Sequence, residues 1–148
     1  MSDLTSQRQC YCGSEFPYRQ CCQPLHNGRV QADRPEQLMR SRYSAFVLTL
    51  TDYLLATWHP RTRPATLDLS DNPQWIKLQV VSASQSLTTG KVHFRAFYRE
   101  QGSVGFMEEH SDFVNHEGTW YYLKGDVRGV KPFVLECGAF FIGWNKSS

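Results

Sequence analysis

The chain has 148 residues, of which 41% are hydrophobic and 20% charged, with a net charge of +2 at neutral pH. This length allows one ordinary domain with a small appendage, and the composition excludes a disordered chain. The net charge is small and the arginines are scattered, so no basic face of the kind that binds DNA is expected. No segment reaches the roughly 18–20 apolar residues that a membrane span needs.

The first residues, MSDLTSQRQC, contain no apolar run of the kind that forms a signal peptide. We therefore expect a cytoplasmic protein, in which thiols stay reduced. In such a compartment a dense cluster of cysteines is more typical of a metal site than of disulfides.

Four cysteines form such a cluster near the N-terminus: Cys10 and Cys12 are followed, after eight residues, by Cys21 and Cys22. Zn2+ binds four thiolates tetrahedrally at about 2.3 Å, and a loop that folds back can bring both pairs to one ion. Four thiolates leave no open coordination position, which predicts one structural zinc ion rather than a catalytic one. The alternative is free or disulfide-bonded cysteines, although a disulfide between the adjacent Cys21 and Cys22 would be strained.

The segment CYCGSEFPYRQCC also resembles the SEC-C motif, a zinc module best known from the C-terminus of the SecA translocation ATPase. The resemblance implies that the same four cysteines are the metal ligands and that residues 8–28 form the module. In SecA this module contacts ribosome and chaperone partners, so the resemblance implies a protein partner. The loop of this family is usually rich in lysine, whereas EFPYRQ has only Arg19 as a basic residue, which argues against an electrostatic contact.

Two helices are predicted after this module. Asp33 and Glu36 have the spacing of a capping box, so the first helix should begin near Asp33. Apolar residues then recur at helical spacing over residues 38–50. A second helix should begin at 51 or 52 and end at His59, because the residue before a proline is biased away from the helical conformation.

From Trp75 onward, apolar and polar residues alternate, which is typical of half-buried strands. The segment WIKLQVV places Ile76, Leu78 and Val80 on one face, and KVHFRAFYRE alternates in the same way. Two more strands, over 104–114 and 119–124, are joined by a hairpin turn. Two helices followed by four antiparallel strands predict an α+β domain with helices packed on one face of the sheet.

Three of these segments, LMRSRYSAF (38–46), DYLLATWHP (52–60) and TWYYLKGD (119–126), together resemble the YchJ family of bacterial proteins. The resemblance implies an N-terminal SEC-C motif followed by a cone-shaped domain like that of nuclear transport factor 2 (NTF2), here residues 30–127, with helices on a curved antiparallel sheet. It implies an architecture rather than an activity. For the apolar tail, 128–148, a last strand and an oligomer contact, as in a homodimer, both stay open. Cys137 in this tail should be a small buried side chain.

A cone-shaped fold encloses a cavity between its sheet and its helices, where ligands commonly bind. The candidate pocket residues share polar or aromatic side chains on the elements that face this cavity: Arg42, Tyr43, Trp58, His59, Trp75, Glu109 and Ser111. Glu109 could act as a base or bind a small ligand. Alternatively it forms an ion pair with Arg42 that ties helix to sheet, with His59 capping a helix end.

The sequence shows no set of nucleophile, base and orienting group, so an enzyme is not favoured. It favours a zinc-binding adaptor whose SEC-C motif docks a protein or ribosome-associated partner. The alternative is a small-molecule-binding protein or enzyme that uses the cone cavity; redox sensing by zinc release ranks last. A wide polar cavity with Glu109 unpaired would favour the alternative. A cavity filled by Trp58, Trp75 and Trp120, with Glu109 paired to Arg42, would favour the adaptor. The histidines outside this cavity are expected to be solvated: His26, His93, His110 and His116.

Overall fold

The structure is a computed structural model that describes residues 8–128. Residues 8–28 form an N-terminal knuckle, which contains an antiparallel bridge between Gln9 and Pro17, a 3-10 turn and the short helix α1 (Gln23–His26). The elements that follow are α2 (Pro35–Leu48), α3 (Thr51–Ala56), β1 (Gln74–Gln85), β2 (Thr89–Glu100), β3 (Ser103–His116) and β4 (Thr119–Arg128). The predicted α+β class is confirmed. The tail, including Cys137, lies outside the described residues.

The four strands form one curved antiparallel sheet in the order β1-β2-β3-β4, with each strand paired to its neighbour along the chain. The alternation predicted for β2 is confirmed, since four of its side chains are at most 1% exposed: Val92, Phe94, Ala96 and Tyr98. The predicted hairpin between β3 and β4 is also confirmed. Its two turn residues, Glu117 and Gly118, both have positive φ (54° and 91°), as a two-residue turn between twisted strands requires.

The first strand departs from its predicted alternation. The register with β2 shifts between Trp75 and Lys77 and again between Val80 and Ser82. Each shift is a bulge, in which one extra residue reverses the side-chain alternation. The prediction that Ile76 faces the core is therefore wrong: its side chain is 38% exposed.

Helix α2 begins at Pro35, and no side chain caps its first turn. The predicted capping box between Asp33 and Glu36 is therefore wrong. Instead, the backbone amide of Asp33 donates a hydrogen bond to Gln37 Oε1 at 2.7 Å, while the Asp33 carboxylate pairs with Arg34 at 3.2 Å. Gln37, and not the predicted Glu36, is thus the residue whose side chain binds the backbone of Asp33.

The second helix, α3, ends at Ala56 and not at His59. The three residues that follow it pair with β4 instead. The amide of Tyr122 donates to the Thr57 carbonyl at 2.8 Å, and the amide of His59 donates to the Tyr122 carbonyl at 2.8 Å. This pairing draws the chain out of the helix and fixes Trp58 in the interior.

The helices cover one face of the sheet and enclose an apolar core. Phe46 from α2 and Leu54 from α3 are fully buried, and Phe113 from β3 is 1% exposed. None of the helices in the described residues is long and apolar enough to cross a membrane.

Candidate metal centre and interior polar site

The backbone of the knuckle brings its two cysteine pairs together. The amide of Cys10 donates to the Phe16 carbonyl at 3.0 Å, and that of Tyr18 donates to the Arg8 carbonyl at 2.8 Å, which folds the loop back on itself. Gly13 makes the turn with a φ of 88°, a conformation that glycine adopts without strain. As a result, the Sγ atoms of all four knuckle cysteines lie within 4.8 Å of one another.

These distances fit a tetrahedral metal site. The Sγ atoms of Cys12 and Cys21 are 3.6 Å apart, and those of Cys21 and Cys22 are 3.9 Å apart. Four thiolates at about 2.3 Å from one ion would lie roughly 3.8 Å from each other. All four cysteines are free thiols, and Cys10, Cys12 and Cys22 are at most 4% exposed. The cluster can therefore hold a metal ion with protein ligands in all four positions.

Neighbouring groups are suited to stabilise thiolates. Ser14 Oγ donates a hydrogen bond to Cys21 Sγ at 3.1 Å, and Ser44 Oγ donates to Cys22 Sγ at 3.4 Å. Hydrogen bonds from the other three thiols, with that from Cys10 the strongest, lower the pKa of Cys12 well below its ordinary value. The pKa of Cys22 is raised, chiefly by its hydrogen bonds with Cys10 and Cys12. Since crowded thiolates repel one another, a bound cation is what allows all four to lose their protons.

The knuckle is fixed to the cone domain through α2. Arg40 Nη1 donates to the Cys12 carbonyl at 2.8 Å, and Arg40 Nε pairs with Glu36 at 3.1 Å. His26 bridges the two parts: its Nδ1 accepts from the Tyr18 hydroxyl at 2.6 Å, and its Nε2 donates to the Ser41 carbonyl at 2.8 Å. Burial lowers the pKa of His26, which keeps its ring neutral. The prediction that His26 is solvated is therefore wrong.

The interior of the cone contains a buried arginine and a buried carboxyl group. Arg42 Nη1 donates to the Leu54 carbonyl at 2.8 Å and to Thr57 Oγ1 at 2.7 Å. Glu109 Oε2 accepts from Ser111 Oγ at 2.5 Å and from the Tyr122 hydroxyl at 3.0 Å.

No ion pair joins these two groups. Within residues 8–128, neither Arg42 Nη2 nor Glu109 Oε1 has a hydrogen-bond partner, so the predicted Arg42–Glu109 ion pair is wrong. The physical reason is burial, which raises the pKa of Glu109 to about 8 and lowers that of Arg42 to about 10. At neutral pH the guanidinium is charged, whereas the carboxyl is mostly protonated.

The cavity between these groups is very small. Its volume is about 10 Å³, and its lining combines Arg42, Glu109 and Ser111 with Met39, Phe94, Phe113 and Tyr122. This volume is about that of the space one water molecule needs. It admits no metabolite without rearrangement of the core.

The other predicted pocket residues lie elsewhere. Tyr43 and Trp58 are core residues, 1% and 2% exposed, and the Trp58 ring contacts that of Tyr122 edge-on at 5.3 Å. Trp75 is 7% exposed and donates from Nε1 to Asn72 Oδ1 at 2.8 Å. The structure therefore brings Arg42, Glu109 and Ser111 together but places the aromatic residues in the surrounding core.

His59 lies on the surface, outside the cavity. Its Nδ1 accepts a hydrogen bond from the Arg61 amide at 3.0 Å, and its ring packs 5.8 Å from that of Tyr121. It does not cap a helix end, so that prediction is wrong. In contrast, Tyr122 lines the cavity although it was not among the predicted pocket residues. The available signal was its position two residues after Trp120, on the same face of β4.

A further group was also missed on the outer face of the sheet. The rings of His93 and His110 stack with a centroid distance of 4.0 Å, and His93 Nε2 is hydrogen-bonded to Glu108 Oε2. The prediction that His93 is solvated is wrong, because its side chain is only 21% exposed.

Comparisons with known proteins agree with this architecture. The profile of a family described as YchJ, middle NTF2-like domain, matches residues 34–125. A UPF0225 protein from Streptomyces coelicolor is 44% identical over 120 residues, which cover 79% of this chain and 94% of that protein. A UPF0225 protein from Bordetella parapertussis is 44% identical over 128 residues, covering 84% of this chain and 96% of the relative.

Two solved structures are similar over most of their length. The solution structure of a SEC-C motif containing protein from Rhodopseudomonas palustris has a TM-score of 0.73 at 35% identity, covering 79% of this chain and 96% of that one. The crystal structure of a SEC-C motif containing protein from Psychrobacter arcticus also has a TM-score of 0.73, at 28% identity, covering 93% and 99%.

A four-cysteine knuckle fixed to the helix of an NTF2-like cone thus defines a SEC-C motif protein. The family profile matches residues 34–125, and the relatives described above are similar over most of their length. The chain therefore belongs to the UPF0225, or YchJ, family. The predicted family resemblance is confirmed.

Proposed function

We propose that this protein is a zinc-binding adaptor that acts in the cytoplasm. In this proposal the knuckle, residues 8–28, holds one structural Zn2+ and docks a protein partner, while the cone, residues 30–127, supports it. The observation that carries the proposal is Phe16, a large apolar side chain of the knuckle that is 62% exposed.

Zinc is the metal that this site suits best. Soft thiolate ligands in a closed tetrahedron are typical of structural zinc, and the Sγ spacings of 3.6 and 3.9 Å match such a tetrahedron. When bound, the ion supplies most of the folding free energy of so small a module. The serine hydroxyls of Ser14 and Ser44 would keep their hydrogen bonds to the thiolates and orient them.

The surface around Phe16 has the character of a docking site. Arg8 and Arg19 are exposed on the same loop, and the Arg8 guanidinium lies 4.3 Å from the centre of the Tyr11 ring. Aromatic residues and arginine are enriched at the energetic centres of protein interfaces. A loop held by backbone hydrogen bonds and a metal ion loses little entropy on binding, which favours affinity. The matching partner is a protein with an apolar pocket for the Phe16 ring.

The alternative, a small ligand or enzyme chemistry in the cone, has weaker support. The cavity that Arg42 and Glu109 line is about 10 Å³, whereas drug-sized ligands occupy pockets of several hundred Å³. The tryptophans Trp58, Trp75 and Trp120 are buried, at 2%, 7% and 5% exposure. These observations argue against a ligand site in the interior of the cone.

The proposal is tested by capturing partners with the full chain and three variants, with zinc content measured for each. Phe16→Ser removes the exposed aromatic ring and leaves the ligands intact. Leu87→Ser is the matched control, because Leu87 is 90% exposed in the β1–β2 turn. The double variant Cys21→Ser, Cys22→Ser removes two ligands.

We expect the wild type and Leu87→Ser to retain the same partner, and Phe16→Ser to lose it while keeping one zinc ion. The double variant should lose both zinc and partner. If all four proteins retain the same partners, or none, the docking role of the knuckle is refuted. If the purified wild type contains no stoichiometric zinc after expression with zinc supplied, the metal assignment is refuted separately.

A further inference from the structure

A second group of metal-ligating side chains lies on the outer face of the sheet, away from the knuckle. His93 in β2 and His110 in β3 are directly opposite each other in the antiparallel pairing, and Glu108 lies two residues before His110. Residues at this spacing share a face, so all three side chains project from the same side. The intervening residue, Glu109, points into the core instead.

The three side chains are close enough to bind one ion. One ligand atom from each lies within 4.8 Å of the others. The two imidazole rings are nearly parallel, with an interplanar angle of 18°, and Glu108 Oε2 contacts His93 Nε2. The side chains of His93 and Glu108 are 21% and 20% exposed, which shields this pair from bulk solvent on most sides.

The carboxylate is oriented by a neighbour that is not itself a ligand. Arg95 Nε donates to Glu108 Oε1 at 3.2 Å, and Arg95 Nη1 donates to Gln79 Oε1 at 3.3 Å. This leaves Oε2 in contact with His93. Hydrogen bonds of this kind fix the carboxylates that bind the metal ion and strengthen binding.

The site opens on a polar groove of about 340 Å³. Besides the histidines, the groove is lined by hydroxyl and charged side chains: Ser82, Ser84, Lys91, Asp112 and Arg128. Lys91 and Asp112 pair with each other at 2.7 Å, so the rim is close to neutral. An ion held at this position would keep coordination positions open toward the groove, where water or a small oxygen ligand can bind.

We propose that His93, Glu108 and His110 form a second, solvent-open site for a divalent first-row transition ion. Two imidazoles and one carboxylate are the ligand set of open zinc and iron sites, in contrast to the closed thiolate set of the knuckle. Around one ion with bonds of about 2.1 Å, the ligand atoms lie roughly 3 to 3.5 Å apart. His110, the most exposed of the three, therefore tilts toward the other two on binding. The ion at this site exchanges, whereas the knuckle ion is retained.

The test titrates Zn2+ into the full chain, free of any histidine tag and carrying one retained zinc equivalent. Isothermal titration calorimetry should show one further equivalent for the wild type. His93→Gln, His110→Gln and Glu108→Gln should each weaken this second binding at least ~10-fold. His116→Gln is the matched control, because His116 is a histidine with a 64% exposed side chain outside the cluster. It should bind as the wild type does.

Two further measurements separate the site from a folding defect. Each variant should keep the knuckle zinc and the wild-type melting temperature; His110→Gln, whose residue is exposed, is the variant least able to disturb the core. Histidine side-chain NMR of the wild type should show His93 and His110 shifting together on addition of Zn2+, with His116 unchanged. The absence of a second equivalent in the wild type refutes the proposal. Second-site binding in His93→Gln and His110→Gln that equals that of His116→Gln also refutes it.

Discussion

Glu109 is a carboxyl group held in an apolar interior, and its replacement by glutamine isolates the free energy of its ionisation. Burial raises the pKa of this carboxyl from 4.5 to about 8, so the folded protein binds its proton more tightly than the unfolded chain does. The resulting stabilisation is fully present below about pH 4.5 and is lost as the pH rises through about 8. Glu109→Gln keeps the shape of the protonated form and cannot ionise.

The magnitude follows from the two pKa values. Since a tenfold change in proton affinity corresponds to about 1.4 kcal/mol, ionising Glu109 in the folded state costs about 5 kcal/mol more than in the unfolded chain. Between about pH 6.5 and pH 9.5, the wild type should lose roughly 2 kcal/mol of stability through this group. The variant should match the wild type to within about 1 kcal/mol at pH 6.5 and exceed it at pH 9.5.

The assay is urea unfolding followed by tryptophan fluorescence, at several pH values and a fixed zinc concentration. The free energy of unfolding of the wild type should fall as the pH rises. That of Glu109→Gln should fall by roughly 2 kcal/mol less between about pH 6.5 and pH 9.5. Parallel curves for the two proteins would show that the protonation state of Glu109 does not change over this range, which would refute a pKa of about 8 for this carboxyl.

Two further substitutions test how the interior and the knuckle are fixed. A Cβ added at Gly125 would lie 1.8 Å from Glu109 Oε2 and 2.8 Å from the Tyr122 hydroxyl. Gly125→Ala should therefore lower the free energy of unfolding by about 2–4 kcal/mol, measured by thermal unfolding. Lys124→Ala, at the neighbouring exposed position, should keep a stability near that of the wild type. A wild-type melting temperature for Gly125→Ala would contradict the close packing. His26→Ala removes the hydrogen bond from His26 to the Ser41 carbonyl of α2 and the hydrogen bond from Tyr18 within the knuckle. It should cost about 2–3 kcal/mol, with zinc content unchanged and His116→Ala as the control. Loss of zinc in His26→Ala would contradict this account, because the metal site would then depend on the contact of His26 with α2.

The parts that the sequence could predict are those with local causes. The cysteine spacing and Gly13 lie within one loop, so the cluster could be read directly from the residues. The pleat of a strand has a fixed period of two, which is why Glu109 and Ser111 could be placed in the interior of the cone.

The parts that it could not predict depend on partners elsewhere in the chain. The bulges in β1 depend on how it pairs with β2, and the end of α3 depends on the pairing of Trp58 with Tyr122. The opposition of His93 and His110 appears only once the strand register is known. The missing ion pair at Glu109 depends on its degree of burial, which sets its protonation state.

The bulges in β1 also have a consequence for how molecules of this protein meet. In the described part of the chain, β1 is an edge of the sheet, and the residues at its two bulges, Ile76 and Val81, are 38% and 44% exposed. A long regular edge with apolar residues would offer its unpaired backbone to the same edge of another copy and promote growth into fibres. The bulges interrupt the spacing of those amide and carbonyl groups and twist the strand at two points. The irregularity that breaks the sequence pattern thereby protects the protein against aggregation.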